Sequence, residues 1–179
     1  MNDDQRRARL EAVVLPHLDA AYNLARWLMR DEWAAQDAVQ DAALRAVRHV
    51  EQQQGPNAKA WFMAIVRRSC INAFNARSGR GDEVPLDDEH LPAELATAAG
   101  DGPEEQAMRR ASAQQLHVCI ESLPLQYREV LVLRELEELS YREIGAIVDV
   151  PVGTVMSRLS RARDLLARKM HAVQRRAVP

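Results

Sequence analysis

The sequence predicts an all-α protein made of two small helical domains joined by a flexible acidic linker. Three observations lead to this prediction. The 179 residues are rich in the helix formers Ala, Leu, Arg, Gln and Glu, with only 7 Gly and 8 Pro. Apolar residues recur at steps of three and four through two long stretches, as on one face of a helix. Between these stretches, residues 81–106 hold nine acidic residues and no Lys or Arg.

The first stretch is predicted to form a domain over residues 1–80 and begins with two helical patterns. One covers 10–30, with Pro16 in the first turn of its main helix. Asp31 then has the side chain and position of an N-cap for a second helix, which the sequence QQQGPN at 52–57 ends. The apolar positions that predict the buried face of this second helix are Ala35, Ala38, Val39, Ala42, Ala46, Val47 and Val50.

A third helix is predicted over 58–77, and a linker over 81–103 follows it. The linker is acidic and rich in Gly and Pro, so it cannot bury a core and should be extended and mobile. The C-terminal domain is predicted over 104–179. Residues 151–179 carry seven Lys or Arg and one acid, although the net charge of the whole chain is −2. This asymmetry makes the basic end a candidate surface for nucleic acid.

The two cysteines, Cys70 and Cys119, are far apart and lack CxxC spacing. They are predicted to be buried thiols in a reducing compartment. The charged start of the chain does not have the pattern of a signal peptide. No stretch approaches the ~18–20 apolar residues that a membrane span needs. The predicted location is therefore the cytoplasm, without a membrane span.

An enzymatic function is not predicted. The five histidines are scattered, and the sequence contains no HExxH, no GxSxG, no Gly-rich phosphate loop and no Cys/His group with metal-ligand spacing. We therefore expect no catalytic residues, no cofactor and no metal site.

The strongest local signal is SYREIGAIVDVPVGTVMSRLSRARDLLARK at 140–169. Ser140 and Glu143 have the spacing of a capping box. Asp149 lies where a turn needs a left-handed residue, and a second helix begins at Val152. This second helix presents hydroxyl groups and arginines, which suit the DNA major groove, so the C-terminal domain is predicted to contain a helix-turn-helix. The predicted inward side of the motif is Ile144, Ile147, Val148, Val155, Leu159, Ala162, Leu165 and Leu166.

Residues 123–166, which include VGTV, SRL and RAR in close succession, resemble the promoter-upstream-element domain of sigma factors of the extracytoplasmic-function group. The sequence AQDAVQD at 35–41, followed by LRA at 44–46, resembles the helix of that family that clamps the coiled coil of the largest polymerase subunit. The sequence AWF at 60–62 resembles the start of its minus-ten helix. Both motif sets occur in the order and spacing of the family.

The resemblance implies a sigma factor that binds core RNA polymerase and directs promoter recognition, strand opening and transcription initiation. It implies as partners the largest-subunit coiled coil and the flap of the polymerase, promoter DNA and an anti-sigma factor. The residues that it assigns to core polymerase are Asp37, Gln40, Asp41 and Arg45. Those for the minus-ten element are Lys59, Trp61, Arg67, Arg68, Asn72 and Asn75. Those for the minus-thirty-five element are Val152, Gly153, Thr154, Ser157, Arg158 and Arg161.

The chain departs from the family pattern at several positions. It has Met156 where the family usually has Lys, Arg68 for Asn, Asn72 for an acid and Asp149 for Gly. The basic run after the third helix is also sparser. We therefore expect an unusual promoter sequence and weaker contacts with single-stranded DNA.

Two other functions are compatible with parts of the sequence. A conventional helix-turn-helix regulator would explain the C-terminal half and would bind duplex DNA without polymerase, but it leaves residues 31–75 without a role. A protein-binding adaptor would not need the basic end. The linker also has two interpretations: its acids could occupy a polymerase surface that normally holds nucleic acid, or they could only keep a tether in solution.

Overall fold

The structure is a computed structural model that describes residues 3–53, 55–77 and 103–177. Over these ranges the regular elements are helical and no strand is present. The N-terminal domain contains α1 to α4 and the C-terminal domain contains α5 to α8. The helices are α1 Asp3–Val14, α2 Leu18–Met29, α3 Glu32–His49, α4 Ala58–Arg77, α5 Pro103–Glu121, α6 Leu125–Glu135, α7 Tyr141–Val148 and α8 Val152–Ala177. The all-α fold with two helical domains is confirmed.

The helix predicted over 10–30 is divided into α1 and α2 by a short 3-10 turn at Leu15–His17. Pro16 lies in this turn. Because proline has no N–H and its ring clashes with the preceding turn, a continuous helix through this position is disfavoured. The prediction of one continuous helix was therefore wrong, although the residues on both sides of the turn are helical.

Small side chains allow the helices of the N-terminal domain to approach one another closely. Ala35, Ala42 and Ala46 on α3 are fully buried, and Phe62 and Val66 on α4 pack into the same core. Close contact of this kind maximises the dispersion contacts of each buried atom.

The end of α3 differs from the sequence prediction at one position. The N-cap was predicted correctly: the Asp31 carboxylate accepts the Ala34 N–H at 2.6 Å. Val47, however, is 40% exposed, whereas it was assigned to the buried face. Helix geometry explains this difference, because Val47 follows buried Ala46 and lies about 100° further around the helix.

The helices α6, α7 and α8 together form the core of the C-terminal domain. Leu133 of α6, Ile144 of α7, and Val155 and Leu159 of α8 are almost fully buried. The predicted inward side of the helix-turn-helix is confirmed, with Leu165 and Leu166 packed at its margin. Within this core Arg128 is 2% exposed and burial lowers its pKa to about 10.

The two domains pack against each other through α2 and α4 on one side and α6 and α7 on the other. The Trp27 ring lies 4.3 Å from that of His117, and the Arg30 guanidinium donates to the Glu121 carbonyl. A cavity of about 220 Å³ remains at this junction. The residues that line it are Leu28, Met29, Cys70, Ile71, Phe74, Asn75, Leu125 and Glu129.

Two further sequence predictions concern the linker and the cysteines. The linker at 81–103 lies outside the described residues, apart from Pro103, which begins α5. Cys70 and Cys119 are free and buried, as predicted. Burial raises the pKa of the Cys70 thiol to about 12, so this thiol is protonated and unreactive at neutral pH. In the part of the chain that the structure describes, no helix has the length and apolar character needed to span a bilayer.

Candidate DNA and polymerase interfaces

The helix-turn-helix is fixed by local contacts that the sequence predicted. The Ser140 hydroxyl accepts the Glu143 N–H at 3.3 Å, and the Glu143 carboxylate accepts the Ser140 N–H at 2.6 Å. This is the reciprocal capping box. Hydrogen bonds from Ser140 and Asn57 lower the pKa of the Glu143 carboxyl. The capping box therefore fixes where α7 begins, and with it the position of the turn.

The turn between α7 and α8 depends on Asp149 and Gly145. Asp149 adopts the left-handed conformation with φ 57°, and the Val150 N–H donates to the Gly145 carbonyl at 3.1 Å. A Cβ at Gly145 would lie 2.9 Å from the Val150 carbonyl oxygen, closer than real Cβ contacts. Glycine is therefore required at this position by the close approach of the turn.

The first turns of α8 carry the residues predicted for the minus-thirty-five element. Val152, Gly153, Ser157 and Arg161 are exposed, and Thr154 is half-buried. A Cβ at Gly153 would meet no atom within 4 Å, so the surface above the start of the helix is open. These side chains share a face that is directed away from the domain core, as insertion in a DNA groove requires.

Arg158 differs from its neighbours on α8 because it is directed toward the interior of the molecule. Its guanidinium lies 3.6 Å from a carboxylate oxygen of Glu129, and its side chain is only 23% exposed. The predicted minus-thirty-five set is therefore brought together on one helix, with one of its two arginines engaged by α6.

On α4, two of the residues predicted for the minus-ten element contact acidic residues of the C-terminal domain. Arg67 makes a bidentate pair with Glu129, with N···O distances of 2.7 and 3.2 Å. The Lys59 ammonium lies 3.2 Å from a carboxylate oxygen of Glu137 and donates to the Glu137 carbonyl at 2.8 Å. Sequence reasoning did not find these pairs, because the partners are 62 and 78 positions apart.

The other residues of the predicted minus-ten set lie elsewhere on α4. Arg68, Asn72 and Asn75 are exposed. Trp61 is half-buried and packs against the hydrophobic core. The set therefore divides into accessible groups, groups held by the other domain and one aromatic ring used for packing.

The residues predicted for core polymerase lie on α3 in two different situations. Asp37 and Gln40 are exposed. Asp41 is half-buried, accepts a hydrogen bond from buried Ser69 at 2.7 Å and pairs with Arg45 at 2.7 Å. The Ser69 hydrogen bond and the two neighbouring arginines lower the pKa of the Asp41 carboxyl. Asp41 therefore connects α3 to α4, while Asp37 and Gln40 face outward, where a partner can reach them.

Sequence reasoning missed the apolar members of the same surface. Trp33 is 77% exposed, Leu44 is 62% exposed and Val47 is 40% exposed. Together with Asp37 and Gln40 they follow steps of four, three, four and three residues, so all five lie on one face of α3. This spacing was the signal that could have identified them. We call this set, Trp33, Asp37, Gln40, Leu44 and Val47, the α3 stripe.

The fold and these surfaces define a class of protein, a two-domain helical DNA-binding protein with a helix-turn-helix in its second domain. Comparison with known families agrees with both domains. The model of sigma-70 region 2 matches residues 13–80, and that of sigma-70 region 4 matches residues 113–166. In the part of the chain that is described, no group of His, Cys, Asp or Glu has the arrangement of a metal site.

Similar proteins are named as RNA polymerase sigma factors. The ECF RNA polymerase sigma factor SigE of Mycolicibacterium smegmatis is 31% identical over 157 residues, which are 87% of this chain and 59% of that protein. The ECF RNA polymerase sigma-E factor of Escherichia coli K12 is 35% identical over 144 residues, 78% of this chain and 75% of that protein. The sigma factor RpoE of Bartonella quintana, solved in complex with the anti-sigma factor NepR, superposes with a TM-score of 0.70 at 25% identity, covering 88% of this chain and 94% of RpoE.

The chain belongs to the ECF group of the sigma-70 family of RNA polymerase sigma factors. Sigma factors are not enzymes; they bind core RNA polymerase and direct it to promoters. The chain is therefore a promoter-specificity subunit, and the predicted alternative of a regulator that acts without polymerase is not favoured.

Proposed function

We propose that the chain directs initiation through three separate surfaces, in two functional domains at 1–80 and 104–179 joined by the linker at 81–103. The α3 stripe binds core polymerase, α4 binds the minus-ten element and the start of α8 binds the minus-thirty-five element. The observation that carries the proposal is the helix-turn-helix, in which Ser157 and Arg161 are exposed beyond a well-capped turn.

The spacing and composition of the α3 stripe support a helical partner. Residues at alternating steps of three and four form the seam with which one helix packs against a coiled coil. Exposed large apolar side chains such as Trp33 and Leu44 need a partner to cover them. We therefore assign the coiled coil of the largest polymerase subunit to this stripe, with Asp37 and Gln40 adding polar contacts.

The chemistry of α8 supports duplex DNA as its partner. Arg161 can donate two parallel hydrogen bonds to a guanine edge or to a phosphate. The backbone N–H groups of Val152 and Gly153 at the start of the helix suit a phosphate, since no side chain covers Gly153. Met156 is 53% exposed between these groups and offers an apolar surface where a lysine would hold a phosphate.

The surface of α4 suits single-stranded DNA. Arg67 and Lys59 supply cations for phosphates, while Asn72 and Asn75 supply accessible amides that can bond to unpaired bases. Trp61 is half-buried and packs against the hydrophobic core, which supports the helix. Strand opening would therefore use the cations and amides of α4.

Regulation and location follow from the same assignment. We propose that an anti-sigma factor binds this chain, since the similar Bartonella quintana structure is a complex of that kind. The chain acts in the cytoplasm together with RNA polymerase, without catalytic activity and without a cofactor of its own. The flap of the polymerase is the proposed partner of the C-terminal domain.

Transcription in vitro tests the proposed function. Purified bacterial core polymerase is incubated with the full-length chain and a pool of fragmented source DNA, and the transcripts are sequenced. We expect promoter-specific transcripts only when the chain is added. Specific duplex binding by the chain alone, without stimulated transcription, would instead support a conventional helix-turn-helix regulator.

Matched arginine variants test the role of α8. Arg161→Ala removes the proposed DNA contact, whereas Arg168→Ala changes an exposed arginine further along the same helix. We expect Arg161→Ala to weaken promoter binding by about 1–3 kcal/mol and Arg168→Ala to have little effect. Equal transcription by both variants would contradict the assignment of Arg161.

A further inference from the structure

Two buried acidic residues of the C-terminal domain face the N-terminal domain. Glu129 lies on α6 and is 2% exposed, and Glu137 lies between α6 and α7 and is 8% exposed. A buried carboxylate is stable only where cations and hydrogen-bond donors compensate for lost hydration. For both residues the other domain supplies such donors.

The donors include residues that we propose for DNA. Arg67 binds both oxygens of Glu129, at 2.7 and 3.2 Å, and Lys59 lies 3.2 Å from Glu137. Asn23 of α2 completes the Glu137 site with a hydrogen bond of 2.6 Å. A bidentate pair with a carboxylate has the geometry in which a guanidinium also holds a phosphate. The two acids therefore engage groups that have the chemistry to hold phosphates.

The same Glu129 carboxylate also reaches the second DNA surface. Arg158 of α8 lies 3.6 Å from it, in addition to Arg67 of α4. One carboxylate thus engages a cation from each of the two DNA-binding helices. Because Glu129 and Arg158 belong to the same domain, their contact persists when the domains separate, and the pair with Arg67 is the one that depends on the compact arrangement.

The junction between the domains combines apolar packing with these polar contacts. The cavity of about 220 Å³ separates Leu28 and Phe74 from Leu125 of α6. Atoms that line a void lose dispersion contacts, so apolar packing around this cavity is weaker than in a filled core. Removing the polar contacts should therefore shift the equilibrium between packed and separated domains.

We propose that Glu129 and Glu137 are an intramolecular substitute for DNA phosphates that holds the free chain in a compact, self-blocked form. The proposal rests on the proposed function of Lys59 and Arg67, whose pairs join the two domains. Because the N–H groups of Arg67 and Lys59 that hold the two carboxylates in the compact form are the groups that would hold phosphates, the compact form competes with DNA binding. The apparent DNA affinity of the free chain is therefore reduced by the fraction of molecules that are open.

The test uses the full-length chain with Glu129→Gln and Glu137→Gln combined. Fluorescence anisotropy with a labelled, mixed-sequence single strand measures DNA affinity, and small-angle X-ray scattering measures the radius of gyration. We expect affinity to rise about fivefold or more and the radius of gyration to increase. The dependence of affinity on salt should steepen by about 0.7 for each additional phosphate that the chain neutralises.

Glu135→Gln is the matched control. Glu135 also lies on α6 and loses the same charge, but it is exposed and its partner Arg163 belongs to the same domain. An equal gain in affinity for Glu135→Gln would mean that the gain reflects net charge alone, and would overturn the proposal. A folded double variant with unchanged affinity and unchanged radius of gyration would also overturn it.

Glu137→Gln alone is the second variant in case the double variant does not fold, since the Glu137 side chain bonds to Asn23 and Lys59 of the other domain. Its affinity should rise in the same direction as that of the double variant. Transcription in vitro with the wild-type chain separates the two proposals. If the wild-type chain supports promoter-specific transcription but Glu137→Gln does not raise DNA affinity, the self-blocked form would be overturned and the proposed function would stand. Absence of transcription would overturn the proposed function, and the assignment of the two acids with it.

Discussion

The two helices proposed for DNA, α4 and α8, differ in how accessible their basic residues are. On α8, Arg161 is exposed to solvent. On α4, the Arg67 side chain is only 21% exposed and pairs with Glu129. Both arginines were assigned to DNA because the sequence resembles one family. The difference teaches that residue type and helical position suggest a candidate DNA-binding surface, whereas the exposure of its side chains depends on a residue far away in the chain.

The largest effect that distinguishes the two helices is expected for Arg67→Ala. This change removes the bidentate pair of the buried Glu129 carboxylate and leaves its longer contact to Arg158. Removing one partner of a buried pair costs about 3–5 kcal/mol. Because Arg67 is partly exposed and Arg158 remains, we expect a loss of about 2–3 kcal/mol, measured by urea unfolding.

Arg68→Ala and Arg161→Ala serve as controls for this measurement, because both side chains are exposed. Each should change the free energy of unfolding by less than about 0.5 kcal/mol. A loss for Arg67→Ala no larger than that for Arg68→Ala would contradict the structural role of the Arg67–Glu129 pair.

The next largest effect is expected in the turn of the helix-turn-helix. A methyl group at Gly145 would lie 2.9 Å from the Val150 carbonyl oxygen, and a backbone atom cannot give way as a side chain does. Gly145→Ala should therefore destabilise the C-terminal domain by about 1–2 kcal/mol, despite the higher helix propensity of alanine. The measurement is the thermal midpoint followed by circular dichroism.

Gly153→Ala is the matched control for Gly145→Ala. A Cβ at Gly153 would meet nothing within 4 Å. The substitution should leave stability unchanged or raise it by about 0.5 kcal/mol. Equal stability of the two variants would contradict the claim that the close approach of the Val150 carbonyl requires glycine at position 145.

These contrasts explain which parts of the molecule could be predicted from the sequence. The capping box at Ser140 and Glu143, the left-handed Asp149 and the N-cap at Asp31 depend on residues within three or four positions of one another. Their physical chemistry is local, so the sequence carries it directly. The core positions of α8 follow from the helical period for the same reason.

The contacts between the domains could not be predicted in this way. The pair Arg67–Glu129 joins residues 62 positions apart, and nothing in either local sequence selects that partner. Val47 was also assigned wrongly, because apolar character alone does not distinguish a core position from a binding surface. The α3 stripe emerges only when exposure is known.

A smaller effect is expected from the pH dependence of Glu143. Its ionised carboxylate accepts hydrogen bonds from Ser140 and Asn57, which hold its pKa below the ordinary value of 4.5. The stabilisation is therefore fully present above pH 4.5, where the unfolded chain is also ionised, and is lost as the pH falls through the lower folded pKa. Glu143→Gln cannot titrate, so its stability deficit relative to wild type should shrink toward acid pH in urea unfolding. A deficit that stayed constant would contradict the role of the charge.

The smallest effect on stability is expected on α3, at Leu44. This side chain is 62% exposed, so Leu44→Ala should change the free energy of unfolding by less than about 0.5 kcal/mol. If the α3 stripe binds the polymerase coiled coil, the same change removes a central apolar contact and should weaken core binding by about 1–2 kcal/mol, measured by competition with labelled wild-type chain. Leu15→Ala removes a leucine of similar exposure, 58%, outside the stripe and should leave core binding unchanged. If both variants lost core binding equally, the loss would not be specific to the α3 stripe. The stripe would then not be the polymerase-binding surface.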